Sequence, residues 1–314
     1  MMKMAFSPQV AAARARAAPI VALESTIITH GMPYPQNLET AQRVESVVAD
    51  TGAVPATIAV IDGVLCIGLR TDQLTDLAQA QDVAKLSRAD LAVCMASGAT
   101  GATTVAATMI AAALAGISVF ATGGIGGVHQ GADQTFDISA DLQELSKTAV
   151  TVVAAGPKAI LDVPKTLEML ETLGVPVITY GQDTVPAFWS VSSGIAAALR
   201  LDTARDIARA HVMRAALGLP GGQLITNPIP RTSEISTDIL SPIIAKAQNE
   251  AAATGISSKQ VTPFLLQRIF ELTEGRSLVA NIALVLNNAR LGGEIAVEMA
   301  KIGAETQSSA SRSL

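Results

Sequence analysis

The chain has 314 residues, of which 49% are hydrophobic, 3% aromatic and 16% charged, and its formal net charge at pH 7 is -5. The acidic balance and the lack of a dense Lys/Arg cluster argue against a nucleic-acid-binding surface. No apolar stretch reaches the roughly 20 residues that a bilayer-spanning helix needs. A core of small aliphatic side chains is instead typical of helices packed on a parallel sheet.

The N-terminal segment, residues 1–18, is basic and has no acidic residue. It is predicted to form a short amphipathic helix or arm; a transit peptide has a similar composition, but a secretory signal would need a continuous apolar core. No linker or repeat interrupts residues 19–304, which are predicted to form one α/β catalytic domain, followed by a disordered polar tail over 305–314. Cys66 and Cys94 lie in apolar runs and are predicted to be reduced packing residues of a cytoplasmic protein.

The first half of the chain reads as strands joined by short turns. The run "IVALESTII" (20–28) predicts a strand, and "TIAVIDGVLCIGL" (57–69) predicts a hairpin, because Asp62-Gly63 suits a two-residue type I′ turn. Thr71 is predicted to cap the helix that follows.

Strand-like and helix-like runs then alternate. Strands are predicted at 90–97, 117–124, 149–156 and 175–180, and helices at 103–116, 139–147 and 165–174. Beyond about residue 200 the chain is predicted to be mostly helical, with a break at 221–233. This pattern predicts a layered α/β/α domain with a mixed sheet.

A glycine-rich loop follows the predicted strand 117–124. Gly123, Gly124, Gly126 and Gly127 permit close backbone approach and positive φ, which suits an anion-binding loop. The spacing matches neither the dinucleotide-binding fingerprint nor a Walker loop. A simple turn remains the alternative.

Two acidic residues, Asp137 and Asp141, stand four apart just beyond this loop. If a helix begins near Asp137, both carboxylates share one face and suit Mg²⁺ or Mn²⁺. Alternatively, Ser139 caps the helix and leaves Asp137 in the loop, or the acids only complement the helix dipole.

Other polar residues sit where the pattern is apolar. Glu24 lies in a predicted strand and would suit proton transfer if it faces a dry pocket rather than solvent. Lys158 follows the predicted strand 149–156, where a solvated surface lysine is the simpler interpretation. Asn281 interrupts an apolar helix and either fixes packing or reaches a ligand. His30 and His129 lie in loops, but three histidines in the whole chain make a zinc site a poor hypothesis.

A set of stretches, taken in order from about residue 20 to 290, resembles the pseudouridine-5′-phosphate glycosidase family, which is related to the indigoidine synthase A group. The stretches are "ALESTIITHGMPYPQN", "VAKLSRADL", "GATTVAATM", "FATGGIGGVHQG", "TFDISADLQEL", "AGPKAILD", "LETLGVPVITY", "TNPIP" and "NIALVLNNA". The family cleaves the C–C bond between ribose C1′ and uracil C5, giving uracil and ribose 5-phosphate.

The resemblance implies roles for individual residues. It places Lys158 as the covalent nucleophile, Glu24 as the proton donor and Asp137 as the metal position. Substrate contacts are implied for Lys85, Val105, Ser139, Ala140, Asp141 and Asn281, and are expected for Thr122 and His129 of the glycine-rich stretch. It also implies an Mn²⁺ cofactor, for which Mg²⁺ is a possible substitute, and a homotrimer.

The chain departs from the family pattern at a few positions. Pro157 and Ala159 flank Lys158 where relatives often carry other small residues. Gln130 and Val191 stand where arginine is common, so the loss of two cations is expected to weaken phosphate recognition and affects the exact substrate more than the chemistry.

The implied chemistry explains why an amine is needed. A C-nucleoside has no glycosidic heteroatom whose protonation would let the base leave. An imine of Lys158 with the ring-opened ribose supplies an electron sink beside the breaking bond, and Glu24 supplies the proton that uracil C5 accepts. Two alternatives are another Schiff-base lyase or aldolase acting on a sugar phosphate, and a non-catalytic sugar-phosphate-binding relative.

Overall fold

The computed structural model describes residues 2–254, 256 and 261–312. In these ranges an eleven-stranded mixed sheet has the main strand order β1-β4-β3-β2-β7-β8-β11-β9-β10, with β6 pairing with both β3 and β5. The strands are β1 (Met4–Phe6), β2 (Ile20–Leu23), β3 (Val54–Ile61), β4 (Val64–Ile67), β5 (Ala84–Leu86), β6 (Gly101–Thr103), β7 (Val119–Ala121), β8 (Thr151–Ala154), β9 (Val177–Tyr180), β10 (Leu199–Leu201) and β11 (Gln223–Thr226).

Helices connect these strands and form most of the C-terminal third. They are α1 (Pro8–Ala15), α2 (Thr26–Thr29), α3 (Gln36–Asp50), α4 (Thr71–Gln79), α5 (Leu91–Ser97), α6 (Val105–Leu114), α7 (Ala132–Thr135), α8 (Ala140–Lys147), α9 (Val163–Thr172), α10 (Ala204–Ala216), α11 (Thr237–Ala253), α12 (Val261–Leu272) and α13 (Arg276–Arg312), with a 3₁₀ turn at Arg231–Ser233. None of the helices in the described ranges combines the length and apolarity that a bilayer crossing requires.

The sheet separates two apolar cores. In β2, Val21 and Leu23 point into one core, whereas Ala22 points into the other, as the period-two alternation of a strand requires. Helices α3, α10 and α13 cover the first face, and α1, α6, α8 and α9 cover the second. The predicted α/β/α layering with a mixed sheet is therefore confirmed.

The predicted hairpin is confirmed, since β3 and β4 pair antiparallel. Asp62 and Gly63 have φ values of 49° and 73°, the two positive angles that a type I′ turn needs. The prediction for the next helix is off by one residue: Arg70 is the N-cap of α4, and Thr71 is its first residue.

Two strand predictions are wrong. Residues 91–97 form helix α5, in which Leu91 and Cys94, three apart, are buried while Val93 is 70% exposed; that spacing is helical. The predicted strand 20–28 ends at Leu23, because the hydroxyl of Ser25 donates to Ile58 O (2.7 Å) and α2 begins at Thr26.

The chain termini also differ from the predictions. The N-terminal segment contains not only the predicted helix, α1, but also β1, which runs parallel to β4. Helix α13 extends to Arg312, so residues 305–312 are helical rather than disordered, and residues 313–314 lie outside the described residues. Cys66 and Cys94 are buried free thiols, as expected.

Candidate active site

A cavity of about 740 Å³ opens where three adjacent parallel strands end. Glu24 directly follows β2, Gly123 lies two residues beyond β7, and Lys158 lies four residues beyond β8. Ligands collect at the carboxyl ends of strands in such sheets. The predicted site residues that line the cavity are Glu24, Lys85, Val105, His129, Ser139, Asp141, Lys158 and Asn281.

Lys158 is half-buried in a loop that is tied to the glycine loop. Its amide donates to Ile125 O (3.1 Å), and the amide of Ile125 donates to Gly156 O (3.2 Å). These backbone bonds fix the position of Lys158 beside the glycine loop, so its side chain leaves a well-defined point on the cavity wall.

The loop glycines allow close packing rather than unusual backbone angles. A Cβ on Gly124 would lie 2.5 Å from the Phe188 ring, and a Cβ on Gly126 would collide with Ser139 Oγ. The positive φ that these glycines permit is not used, since Gly123, Gly124, Gly126 and Gly127 all lie outside that region.

The carboxylate of Glu24 is held by two hydroxyl groups. Thr26 Oγ1 donates to its Oε2, and Thr122 Oγ1 donates to its Oε1. Thr122 is only 1% exposed and does not line this cavity, so it reaches the site through Glu24 rather than by the direct contact that was expected. Each oxygen of Glu24 thus has a fixed partner, which sets the orientation of the carboxyl group.

Asp141 is a clamp between two backbone segments. Its Oδ1 accepts from the amide of Ala106 (2.9 Å), near the start of α6, and its Oδ2 accepts from the amide of Gly126 (2.8 Å). The Gly126 amide, expected to be available to a bound anion, therefore already has a partner. Ser139 is the N-cap of α8 and leaves Asp137 ahead of the helix, which matches the second of the sequence interpretations. Ala140, the first residue of α8, does not line the cavity.

Asp137 lies beside His129 at the edge of the site. Its Oδ2 is 4.0 Å from His129 Nδ1, and its side chain is 39% exposed. Burial lowers the pKa of His129 below its ordinary value; Asp137 opposes this shift, whereas the positive charges of Lys158 and Lys85 add to it. His129 is therefore neutral near pH 7.

The donor set around Asp137 is limited. Within the described residues, no group of three or more His, Cys, Asp or Glu side chains is placed to hold a metal ion. One half-exposed carboxylate suits a hard divalent cation that keeps most of its water, as Mg²⁺ often does. The residues present therefore fit a hydrated Mn²⁺ or Mg²⁺ better than a fully protein-ligated one.

Several polar side chains line another part of the cavity wall. Lys85 lies on β5, which pairs with β6, and Ser87 follows the same strand. Thr104 is the N-cap of α6, and its buried Oγ1 has no hydrogen-bond partner among the described residues. An ammonium and two hydroxyl groups together form a suitable site for a phosphate. Val105, the first residue of α6, completes this wall.

Asn281 fixes packing by a hydrogen bond and also lies on the cavity wall. Its Oδ1 accepts a hydrogen bond from Trp189 Nε1 (2.7 Å), and the residue also lines the cavity. Trp189 is fully buried against Phe188, so this bond joins helix α13 to the loop after β9.

One wall of the cavity was not predicted from the sequence. Helix α12 supplies Thr262, Pro263, Leu266, Gln267 and Phe270. Its only sequence signal is an amphipathic pattern, which shows that a face is buried but not which surface it faces. His30, noted only as a loop residue, also lines the cavity.

Gln130 and Val191, which stand where relatives often carry arginine, do not face the cavity. Gln130 is exposed, and Val191 belongs to the larger apolar core. The lining of the cavity includes neither residue. The substitutions at these positions therefore leave the polar wall at Lys85 unchanged.

Known proteins match this chain over almost its whole length. Residues 9–298 match the family model described as indigoidine synthase A like protein. A pseudouridine-5′-phosphate glycosidase of Jannaschia sp. (strain CCS1) is 68% identical over 94% of this chain and 98% of that protein. One from Paracoccus denitrificans (strain Pd 1222) is 65% identical over 95% of this chain and 98% of that protein.

Solved structures share the fold. The prealnumycin C-glycosynthase AlnA, solved in complex with ribulose 5-phosphate, superposes with a TM-score of 0.90 at 37% identity, covering 97% of this chain and 99% of that one. An indigoidine synthase A-like protein from Thermotoga maritima superposes with a TM-score of 0.86 at 31% identity, covering 95% of this chain and 97% of that one.

Proposed function

The chain belongs to the indigoidine synthase A like family, and we propose that it is a pseudouridine-5′-phosphate glycosidase. It cleaves the C1′–C5 bond to give uracil and ribose 5-phosphate, in a reversible reaction. The observation that carries this proposal is the convergence of Lys158 and Glu24 on one cavity, from strand ends separated by a single strand. An amine and a carboxyl group are the two groups that C–C cleavage through an imine needs.

Lys158 acts as the nucleophile. The ribose ring opens as the C1′–O4′ bond breaks and the neutral amine of Lys158 forms a bond to C1′; the proton that the nitrogen then loses is taken up by O4′. Its position in a half-buried loop held by the glycine loop supports this role, because the attacking atom is directed into the cavity.

Glu24 acts as the acid. It transfers a proton to uracil C5; the nitrogen lone pair then forms the C1′=N bond as the C1′–C5 pair returns to the uracil ring. Water hydrolyses the imine, which releases ribose 5-phosphate and restores the free amine. The two threonine hydroxyls that hold Glu24 support this role, because proton transfer requires an oriented donor.

The 5′-phosphate binds at the wall formed by Lys85, Ser87 and Thr104. Unphosphorylated pseudouridine is then a much poorer substrate, and Lys85→Ala raises KM more than it lowers kcat. Equal kcat/KM for pseudouridine and its 5′-phosphate would contradict this assignment. Because Gln130 and Val191 lie outside the cavity lining, we expect the preference to be strong.

Asp137 is the residue that would hold Mn²⁺, with Mg²⁺ as a substitute. When bound, the cation would supply positive charge and ordered water. The role of Asp137 is to keep that charge at the edge of the cavity next to His129.

The enzyme is proposed to act in the cytoplasm as a homotrimer. Two buried free thiols suit a reducing compartment. Several large apolar side chains are exposed, among them Phe136 at 83%, Leu217 at 72% and Val93 at 70%, which suits burial between subunits. Light scattering of the active protein tests the trimer, and a stable active monomer contradicts it.

The proposed function is tested by incubating the protein with pseudouridine 5′-phosphate and Mn²⁺ and measuring uracil by chromatography. Stoichiometric release of uracil and ribose 5-phosphate is expected. Cleavage of a sugar phosphate without uracil release indicates an aldolase-type lyase instead. Binding measured by calorimetry without any turnover indicates a non-catalytic relative.

A further inference from the structure

The run "LNNAR" in α13 contains a fully buried asparagine whose role is not explained by the chemistry above. Asn288 is 0% exposed. Its Nδ2 donates to Thr122 O (2.8 Å) and to Gly123 O (3.3 Å), and its Oδ1 accepts from Asn227 Nδ2 (3.0 Å). Every polar atom of its side chain thus has a partner.

These partners lie where β7 becomes the glycine loop. Two consecutive carbonyl groups are held by one amide, so the peptide between Thr122 and Gly123 has little freedom to rotate. The hydroxyl of the same Thr122 donates to Glu24 Oε1. A continuous series of hydrogen bonds therefore runs from Asn227 through Asn288 and Thr122 to Glu24.

An apolar residue would be the cheaper choice at position 288, since α13 packs there on the sheet through Leu284, Val285 and Leu291. Burying an amide costs free energy unless all its hydrogen bonds are made. Ladder bonds within the sheet already hold β7 itself between β2 and β8. The side-chain amide of Asn288 instead holds Thr122 and Gly123, just beyond β7, and Thr122 in turn orients Glu24.

We propose that Asn288 is a positioning residue for Glu24, acting through the main chain and hydroxyl of Thr122. The inference rests on the proposed function, in which Glu24 donates the proton to uracil C5. Asn288 does not touch the substrate, because it lies behind the cavity wall and outside its lining. Its effect falls on proton transfer rather than on binding.

The test is a double-mutant cycle with uracil release as the readout. Asn288→Ala is expected to lower kcat by about 10- to 100-fold with little change in KM, as misplacement of a catalytic group does. Thr122→Val is expected to cause a similar loss. If Asn288 acts through Thr122, adding Asn288→Ala to Thr122→Val lowers kcat by less than about threefold further.

The chain offers a matched control in the adjacent residue. Asn287 is half-buried on the same helix and donates to Pro228 O (3.0 Å), away from the cavity lining. Asn287→Ala is expected to retain kcat within about twofold. If Asn288→Ala gives poorly folded protein, Asn227→Ala removes the support of Asn288 from the far side, and the same cycle is run with that variant.

The outcomes separate the two proposals. The positioning role is overturned, while the proposed function stands, if Asn288→Ala keeps the wild-type kcat. It is also overturned if the fall in kcat of the double variant is the product of the falls in the two single variants. A rise in KM without a fall in kcat also overturns it. A wild-type protein that releases no uracil overturns the proposed function and this inference together.

Discussion

The hydroxyl of Thr122, just beyond β7, donates a hydrogen bond to Oε1 of Glu24, just beyond the neighbouring parallel strand β2. The register of the two strands pairs Leu23 with Ala121, so the next residues of the two strands, Glu24 and Thr122, lie side by side. The orientation of the proposed acid is therefore set by the pairing of two central strands.

Replacing Thr122 by valine removes this hydroxyl and keeps the shape of the side chain. A hydrogen bond to a charged group contributes about 1.5–3 kcal/mol, so kcat should fall about 10- to 100-fold. KM should change little. Thr226→Val is the control, since Thr226 is a buried threonine at the end of β11 that pairs with Thr179 outside the cavity lining. Equal kcat values for the two variants would show that Thr122 does not orient the acid.

Asp141→Asn tests the clamp. Asparagine can accept from only one of the two backbone amides and directs its NH₂ group at the other. We expect a loss of about 1–3 kcal/mol in the free energy of unfolding, measured by urea denaturation. Asp133→Asn, at an exposed position in α7, should change it by less than about 0.5 kcal/mol. A variant as stable as the wild type would show that these two hydrogen bonds do not contribute to stability.

Glu45 predicts a pH dependence of stability. Burial raises the pKa of Glu45 above its ordinary value, although a hydrogen bond from Thr57 (2.5 Å) opposes the shift. A raised pKa in the folded state means that Glu45 favours folding most at acidic pH, and that this contribution is lost as pH rises through the folded pKa.

Glu45→Gln cannot ionise, so the variant does not lose stability at this position as pH rises. It keeps an acceptor for the Thr57 hydroxyl. The stability of the variant relative to the wild type should therefore increase from about pH 4 to about pH 7.5 in urea denaturation. Glu39→Gln, at an exposed position on the same helix, should show no such trend. A constant difference across this range would contradict the raised pKa.

Removal of divalent cations tests the role of Asp137. Activity should fall in excess chelator and return with Mn²⁺ or Mg²⁺. Asp137→Asn should need a higher Mn²⁺ concentration for half-maximal activity and bind Mn²⁺ more weakly by calorimetry, because the Asp137 carboxylate is the proposed protein ligand. Asp133→Asn, four residues earlier, should behave as the wild type. Full activity without any divalent cation would exclude this cofactor.

The sequence predicts the features that local pattern determines. Short β-rich apolar runs located β7, β8 and β9, and the Asp62-Gly63 dipeptide located the hairpin. Lys158 stood out because it follows an apolar strand-like run, and Glu24 because it was placed inside one. The roles of most candidate site residues followed from the family resemblance; parallel strand pairing explains only why residues at the ends of β2, β7 and β8 meet at one edge.

Contacts between distant segments could not be predicted in this way. Asp141 meets Ala106 and Gly126 at sequence separations of 35 and 15 residues, and no local pattern distinguishes such a clamp from a substrate ligand. Asn288 meets Thr122 across 166 residues. Helix α12 was predicted as part of a helical region, but its place over the cavity depends on packing alone.

Trapping of the Lys158 imine tests the central claim most directly. Borohydride added during turnover of pseudouridine 5′-phosphate should leave a reduced ribose-phosphate adduct, and peptide mapping by mass spectrometry should locate it on Lys158. Lys158→Arg cannot supply a neutral amine near pH 7 and should give neither adduct nor uracil while remaining folded. An adduct on Lys85, or near-normal kcat in Lys158→Arg, would contradict the account.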